Sequence, residues 1–169
     1  MAVQIIFRST QMTFEREFRQ LNEAWISINF MLEASDKLVL SNPQKYILDR
    51  GGNVFIALED GKVLGCCALL VHDIFTCELA KMVVDPLAQG KGIGLLLGNA
   101  LVEKALERGF NRVILEGNTK MVASIALYRK LGFQEVPLNE VENNRELHSR
   151  CNIFMELKLS SIFSPEFYI

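Results

Sequence analysis

The sequence predicts an α/β sandwich, an α+β arrangement of a mixed central sheet with helices packed on it. Three observations carry that prediction. Short apolar runs of strand length recur along the 169 residues, and segments of helical spacing stand between several of them. Hydrophobic residues make up 50% of the chain, which suffices for a sizeable core without disulfides or metal. No internal repeat, low-complexity stretch or Pro/Ser-rich linker breaks the pattern, so residues 1–159 are expected to form one domain, followed by an apolar tail over 160–169.

The elements follow in order. Gln4 to Arg8 reads as a first strand. Phe14, Phe18, Leu21, Trp25 and Ile28 recur at intervals of three and four, the mark of an amphipathic helix. Ser41-Asn42-Pro43 opens a second, shorter helix, with Pro43 tolerated in its first turn and Gly51-Gly52 as its end. Strands are expected over Asn53 to Leu58 and Lys62 to Val71, joined by Glu59-Asp60-Gly61, because an Asp-Gly pair between apolar runs signals a hairpin. Cys77 to Val84 forms another strand, closed by Asp85-Pro86. A helix from Ile93 to Arg108 stops at Gly109. Then come a strand from Arg112 to Leu115, a helix from Val122 to Leu131, a strand from Phe133 to Val136 and a last strand from Asn152 to Leu159.

Composition narrows the function classes. A net charge of −2, with no basic face, speaks against nucleic acid as a partner. The longest apolar run, Val63 to Val71, falls far short of the roughly 20 residues that a membrane span needs. The first eight residues lack the charged and apolar regions of a signal peptide. Cys66, Cys67, Cys77 and Cys151 form no Cys-x-x-Cys pair, the pattern of reduced thiols in a cytoplasmic protein. With His72 and His148 the only histidines, no metal is expected.

The densest signal is Val83-Val84-Asp85-Pro86-Leu87-Ala88-Gln89-Gly90-Lys91-Gly92-Ile93-Gly94. A strand ends, glycines alternate and a helix begins. The first amides of a helix point outward and carry the positive end of its dipole. Glycines let a bulky anion approach them, so the segment suits a phosphate or pyrophosphate, or simply makes a tight turn. The dinucleotide fingerprint fails, because its third glycine position holds Leu95 in one frame and Leu97 in the other. The triphosphate loop fails too, with Asp85 in place of its first glycine and Gly92 after Lys91.

Downstream, Asn118 follows a strand, and Tyr128 precedes Leu131-Gly132-Phe133 at a helix end. With Gln89, Gly92, Gly94 and Ser124, these residues resemble the signature of the GNAT superfamily of N-acetyltransferases. The resemblance covers almost the whole element order. It implies a GNAT-type fold, with a mixed, mostly antiparallel sheet, two splayed parallel strands and helices on both faces. It further implies acetyl-CoA as co-substrate. The pyrophosphate would rest on backbone amides of Gln89, Gly90, Lys91, Gly92, Ile93, Gly94 and Leu95. The pantetheine arm would pair with Met82, Val83 and Val84 and meet Asn118, with room to pass at Ser124, where the family more often has alanine.

The implied reaction is attack of an amine on a thioester. A free alkylammonium, with a pKa near ~10.4, must first lose a proton, and the departing thiolate benefits from a donor. Glu78 is the candidate base and Tyr128 the candidate acid, with a backbone amide near Val83 for the oxyanion. The acceptor would be a small-molecule or protein amine. A non-catalytic CoA-binding sensor or assembly domain, and an enzyme for a longer acyl-CoA, are the alternatives.

Other residues carry weaker expectations. Lys81 reads as a solvated edge charge, although it could pair with an acidic neighbour or line an acceptor site, and Trp25 reads as core, although it, like Phe30, could line that site. His72 and Asp73 read as loop polarity, and His148 is assigned no role. The acidic segment from Asn139 to Glu146 could serve a cationic acceptor or be a solvated loop. The tail, with Ile162, Phe163, Phe167 and Tyr168, could pack on its own domain or on a second subunit in a homodimer.

Overall fold

Among the described residues seven strands form one sheet in the order β1-β2-β3-β4-β5-β7-β6. They are β1 (Gln4–Arg8), β2 (Asn53–Glu59), β3 (Lys62–Val71), β4 (Thr76–Val84), β5 (Arg112–Gly117), β6 (Gln134–Val136) and β7 (Ile153–Lys158). Every neighbouring pair is antiparallel except β4 with β5. The computed structural model describes residues 2–141 and 145–159, so the apolar tail and part of the acidic segment lie outside the described residues.

The helices follow the chain as α1 (Glu15–Asn29), α2 (Ala34–Ser41), α3 (Pro43–Tyr46), α4 (Ile93–Glu107) and α5 (Val122–Lys130). Strand periodicity explains how both faces of the sheet become covered. Along β2, Phe55 and Ala57 face Leu97 and Leu101 of α4, while Val54 and Ile56 face Phe18 and Ile26 of α1 and Leu40 of α2. The hairpin between β2 and β3 turns through Asp60 and Gly61, both with positive φ, as its Asp-Gly pair predicts.

Two expectations need correction. The segment read as one helix after Pro43 is the short α3 followed by a single 3-10 turn over Leu48–Arg50, and a separate helix, α2, precedes it. Helix α2 starts where the Asp36 carboxylate accepts the Glu33 amide at 3.1 Å, a cap made by acids. Ile28, placed on the apolar stripe of α1, is 78% exposed; Phe18, Asn22 and Ile26 form the buried row instead. Among the described residues no helix is long and apolar enough to cross a membrane.

Candidate active site

The turn from β4 into α4 is built largely from backbone. Asp85 accepts the Leu87 amide at 2.8 Å and closes the 3-10 turn over Pro86–Ala88. Gly90 and Gly92 then take φ of +79° and +76°, the left-handed region in which side chains are strained. A Cβ on either would meet no atom within 4 Å, so conformation rather than space calls for glycine there. Gly94 differs: a Cβ would stand 2.9 Å from Cδ2 of Leu127, so its bare backbone lets α5 lie against α4. Gln89, Gly90, Lys91 and Gly92 are exposed, Leu95 is half-buried and Ile93 is buried. The Gln89 amide reaches back to the Val84 carbonyl at 3.3 Å.

Strands β4 and β5 pair over only three rungs, Thr76 with Arg112, Cys77 with Val113 and Glu78 with Ile114. Beyond Glu78 they separate. The gap widens into a cleft walled by Ala80 and Met82 of β4, Gly117 at the end of β5, Asn118 after it, Tyr128 of α5 and Trp25 of α1. A bulge in β4 adjoins the splay. Cys66 pairs with Val83 and Ala68 with Ala80, which leaves Lys81 and Met82 opposite Cys67 alone. Lys81 has a φ of +54°.

Of the donor-arm residues expected from the sequence, Met82, Asn118 and Tyr128 line this cleft, whereas Val83 is buried in the layer that holds Phe18 and Ile26 and Val84 packs on the opposite layer. Tyr128 is buried, and loss of solvent, with Cys67 nearby, pushes its phenol up to about 12. Asn118 donates to the Arg150 carbonyl at 2.7 Å and accepts the Lys120 amide at 2.9 Å, tying the end of β5 to the loop before β7. Ser124 is half-buried on α5.

Glu78 is not a solvated strand end. It is 8% exposed and lies at the last paired rung, where the splay begins. Its Oε2 lies 2.5 Å from Nε2 of His72 and 3.3 Å from Nη2 of Arg145, which also stands 2.8 Å from that imidazole nitrogen. The nitrogen thus sits between a donor and an acceptor, and its proton state decides which it serves. His72 therefore does more than supply loop polarity; Asp73 stays in the loop, accepting the amides of Phe75 and Thr76.

A second carboxylate–imidazole pair faces the first from β5. Glu116 accepts the His148 Nδ1 at 2.8 Å and its backbone amide at 3.1 Å. Burial alone would raise the Glu116 carboxyl; the bonds from His148 and the nearby charges of His148 and Arg145 hold it below its ordinary value. Glu78, Glu116 and His148 stand where the cleft meets an open groove that continues past Arg112 and Arg145. Cys151 lines the cleft too, half-buried, its thiol pushed up by burial and by Glu116.

Beneath the cleft lies a buried charge cluster. Asp36 is 0% exposed and receives Lys81 Nζ at 2.9 Å and both terminal nitrogens of Arg150 at 2.8 Å. His148 Nε2 lies 3.5 Å away. Burial would raise the Asp36 carboxyl, but Arg150 and Lys81 hold it far below the ordinary carboxylate range. Lys81 is therefore the partner of an acid in a buried ion pair, not a solvated edge charge, and Trp25, half-buried against the core, also lines the cleft beside Phe30, ring centroids 5.8 Å apart. The sequence reading passed over Asp36, Glu116, Arg145 and Arg150, and gave His148 nothing to do. No motif joins them, because α2, β5 and the loop before β7 supply them from distant stretches of chain.

The element order, the splayed parallel pair and the glycine turn together define an acetyltransferase fold. Residues 12–133 match the model of the acetyltransferase (GNAT) family, and the chain belongs to that family. The N-acetylaspartate synthetase of Rattus norvegicus is 35% identical over 94 residues, which is 55% of this chain and 31% of that protein. The chain thus matches about a third of that relative's length. A GNAT acetyltransferase of Staphylococcus aureus Mu50 superposes with a TM-score of 0.84 at 20% identity, covering 94% of this chain and 99% of the other. The N-acetylglutamate synthase of Neisseria gonorrhoeae, solved with coenzyme A and N-acetyl-glutamate, superposes with a TM-score of 0.71 at 19% identity, over 92% of this chain and 35% of its own. The fold expected from the sequence is the one observed.

Proposed function

We propose that the protein transfers an acetyl group from acetyl-CoA to a primary amine, with Glu78 as base and Tyr128 as acid. The observation that carries this reading is the placement of a buried carboxylate at the mouth of the splay and a buried phenol on the wall of the same cleft. Acetyl-CoA would lay its pyrophosphate on the amides from Gln89 to Leu95 and thread its arm past Met82, Val83, Val84, Asn118 and Ser124. The amine would give its proton to Glu78, directly or through His72, and attack the carbonyl carbon. A β4 amide near Val83 would hold the oxyanion, and collapse would release the thiolate toward Tyr128. A phenol near 12 stays protonated throughout the working range. The burial that weakens it as an acid also raises the basicity of a thiolate in the same cleft, so the donor and the leaving group stay matched. The free cysteines, three of them buried, suit a reducing compartment, and we assign the enzyme to the cytoplasm.

Release of free thiol from acetyl-CoA with a panel of amines tests the reading. Tyr128→Phe is expected to lose about 10²–10⁴ in kcat, the usual weight of a proton donor in the transition state. Tight CoA binding with no turnover of any amine would mean a CoA-binding module without catalysis. Full activity in Tyr128→Phe would remove the acid assignment.

A further inference from the structure

Lys81 combines three properties that seldom meet. Its backbone is left-handed, its strand is bulged there, and its ammonium is buried against a fully buried carboxylate. A side-chain-bearing residue in that region is strained and persists only where its surroundings over-determine it. Here the determinant is Asp36, which α2 supplies from far away in sequence and which Arg150 holds on its other side. A bulge bends its strand and adds local twist. This one falls on the stretch of β4 that no longer pairs with β5 and that lines the cleft with Ala80, Lys81 and Met82.

We propose that Asp36 is a positioning residue for acyl transfer, acting through Lys81 to hold the left-handed kink of β4 that opens the donor cleft. The proposal rests on the acetyl-CoA site assigned above. Asp36 touches no reacting atom in this scheme. It fixes the backbone that does, and Arg150 carries the same constraint into the loop bearing His148 and bonded to Asn118. Lysine at the kink is then a device rather than an accident. A glycine would reach the same φ without strain and keep most of the kink unaided, whereas a side-chain-bearing residue there needs the lock.

The decisive comparison is Lys81→Met against Lys81→Gly, with Lys81→Arg as the conservative rescue. Met keeps the strain and the side-chain bulk, leaves the Asp36–Arg150 pair, and loses the lock. Gly loses the lock and the strain together. Calorimetric acetyl-CoA binding to the wild-type chain comes first, since its absence overturns the site reading itself. Given binding, Lys81→Met is expected to raise KM for acetyl-CoA and to lose about tenfold in kcat/KM, with Lys81→Gly recovering about fivefold of that, the span that one left-handed residue represents. Lys81→Arg should restore most of the wild-type value. Equal losses in Met and Gly overturn the proposal, since they place the role in the ammonium alone, and so does the absence of any loss. If Lys81→Met fails to fold while Lys81→Gly folds, the lock is confirmed at the level of the fold; if Gly also fails to fold, the proposal is overturned.

Discussion

The two sides of the cleft are made in opposite ways. The side proposed for the donor is backbone: a glycine turn, the first amides of α4 and the stretch of β4 that has parted from β5, all within one run of chain. The facing side is charge: Asp36, Glu78, Glu116, Arg145, His148 and Arg150, brought from α2, β4, β5 and the loop before β7. Backbone groups can grip any CoA in the same way, because every residue type carries them. Side-chain charges need partners, and each partner constrains another element. A generic donor and a particular acceptor thus call for different building materials.

The sharpest way to break this contrast is to empty the charged side. Asp36→Ala leaves Lys81 and Arg150 facing each other in the interior, and is expected to cost about 3–5 kcal/mol in urea unfolding. The pH dependence has a definite sign. Asp36 stays ionised in the fold below its ordinary 3.8, while the unfolded chain takes up a proton there. Its contribution is therefore complete above about pH 4 and drains away as pH falls, so Asp36→Asn should show a shallower loss of stability with acid than the wild type. A loss below about 1 kcal/mol for Asp36→Ala would equate the cluster with surface ion pairs.

The donor side should answer to space instead of charge. Gly94→Val drives a side chain against Leu127 and forces α4 from α5, an overpacking worth about 1–3 kcal/mol in thermal unfolding. It should weaken acetyl-CoA binding as well, with no change in the acid limb. The smallest effect concerns Cys151, the thiol at the boundary of the two sides. A thiol reagent should label it ahead of Cys66, Cys67 and Cys77, which are 0% exposed, and saturating acetyl-CoA should slow that labelling. Labelling indifferent to acetyl-CoA would place the donor elsewhere.

The same contrast sets what the sequence reveals. Gly90, Gly92 and Gly94 stand together in the chain, and Asn118 and Tyr128 follow at family spacing, so the turn proposed to hold the donor could be picked out from one dimension. So could β3 and the hairpin turn at Asp60-Gly61, whose signals are local. Helix α2 could not. Its eight residues show only a weak apolar stripe, and its start is fixed by acids whose partners lie over a hundred residues away. Lys81 looks like any charged residue in a strand until Asp36 closes on it. Gly94 shows that even a correctly placed motif can hide its cause, since here its bareness admits a neighbouring helix.

One feature of the sheet reaches beyond the site. Seven strands share a single sheet, yet its two parts, β1 to β4 and β5 to β6, are joined by only three rungs. In the first part β2, β3 and β4 follow each other through short turns, so these pairings are close in sequence and cheap in loop entropy, while β1 joins β2 from across three helices. The second must wait for α4 to span the gap. The seam is therefore expected to open ahead of the β2–β3–β4 pairings, with its amides exchanging with solvent before theirs.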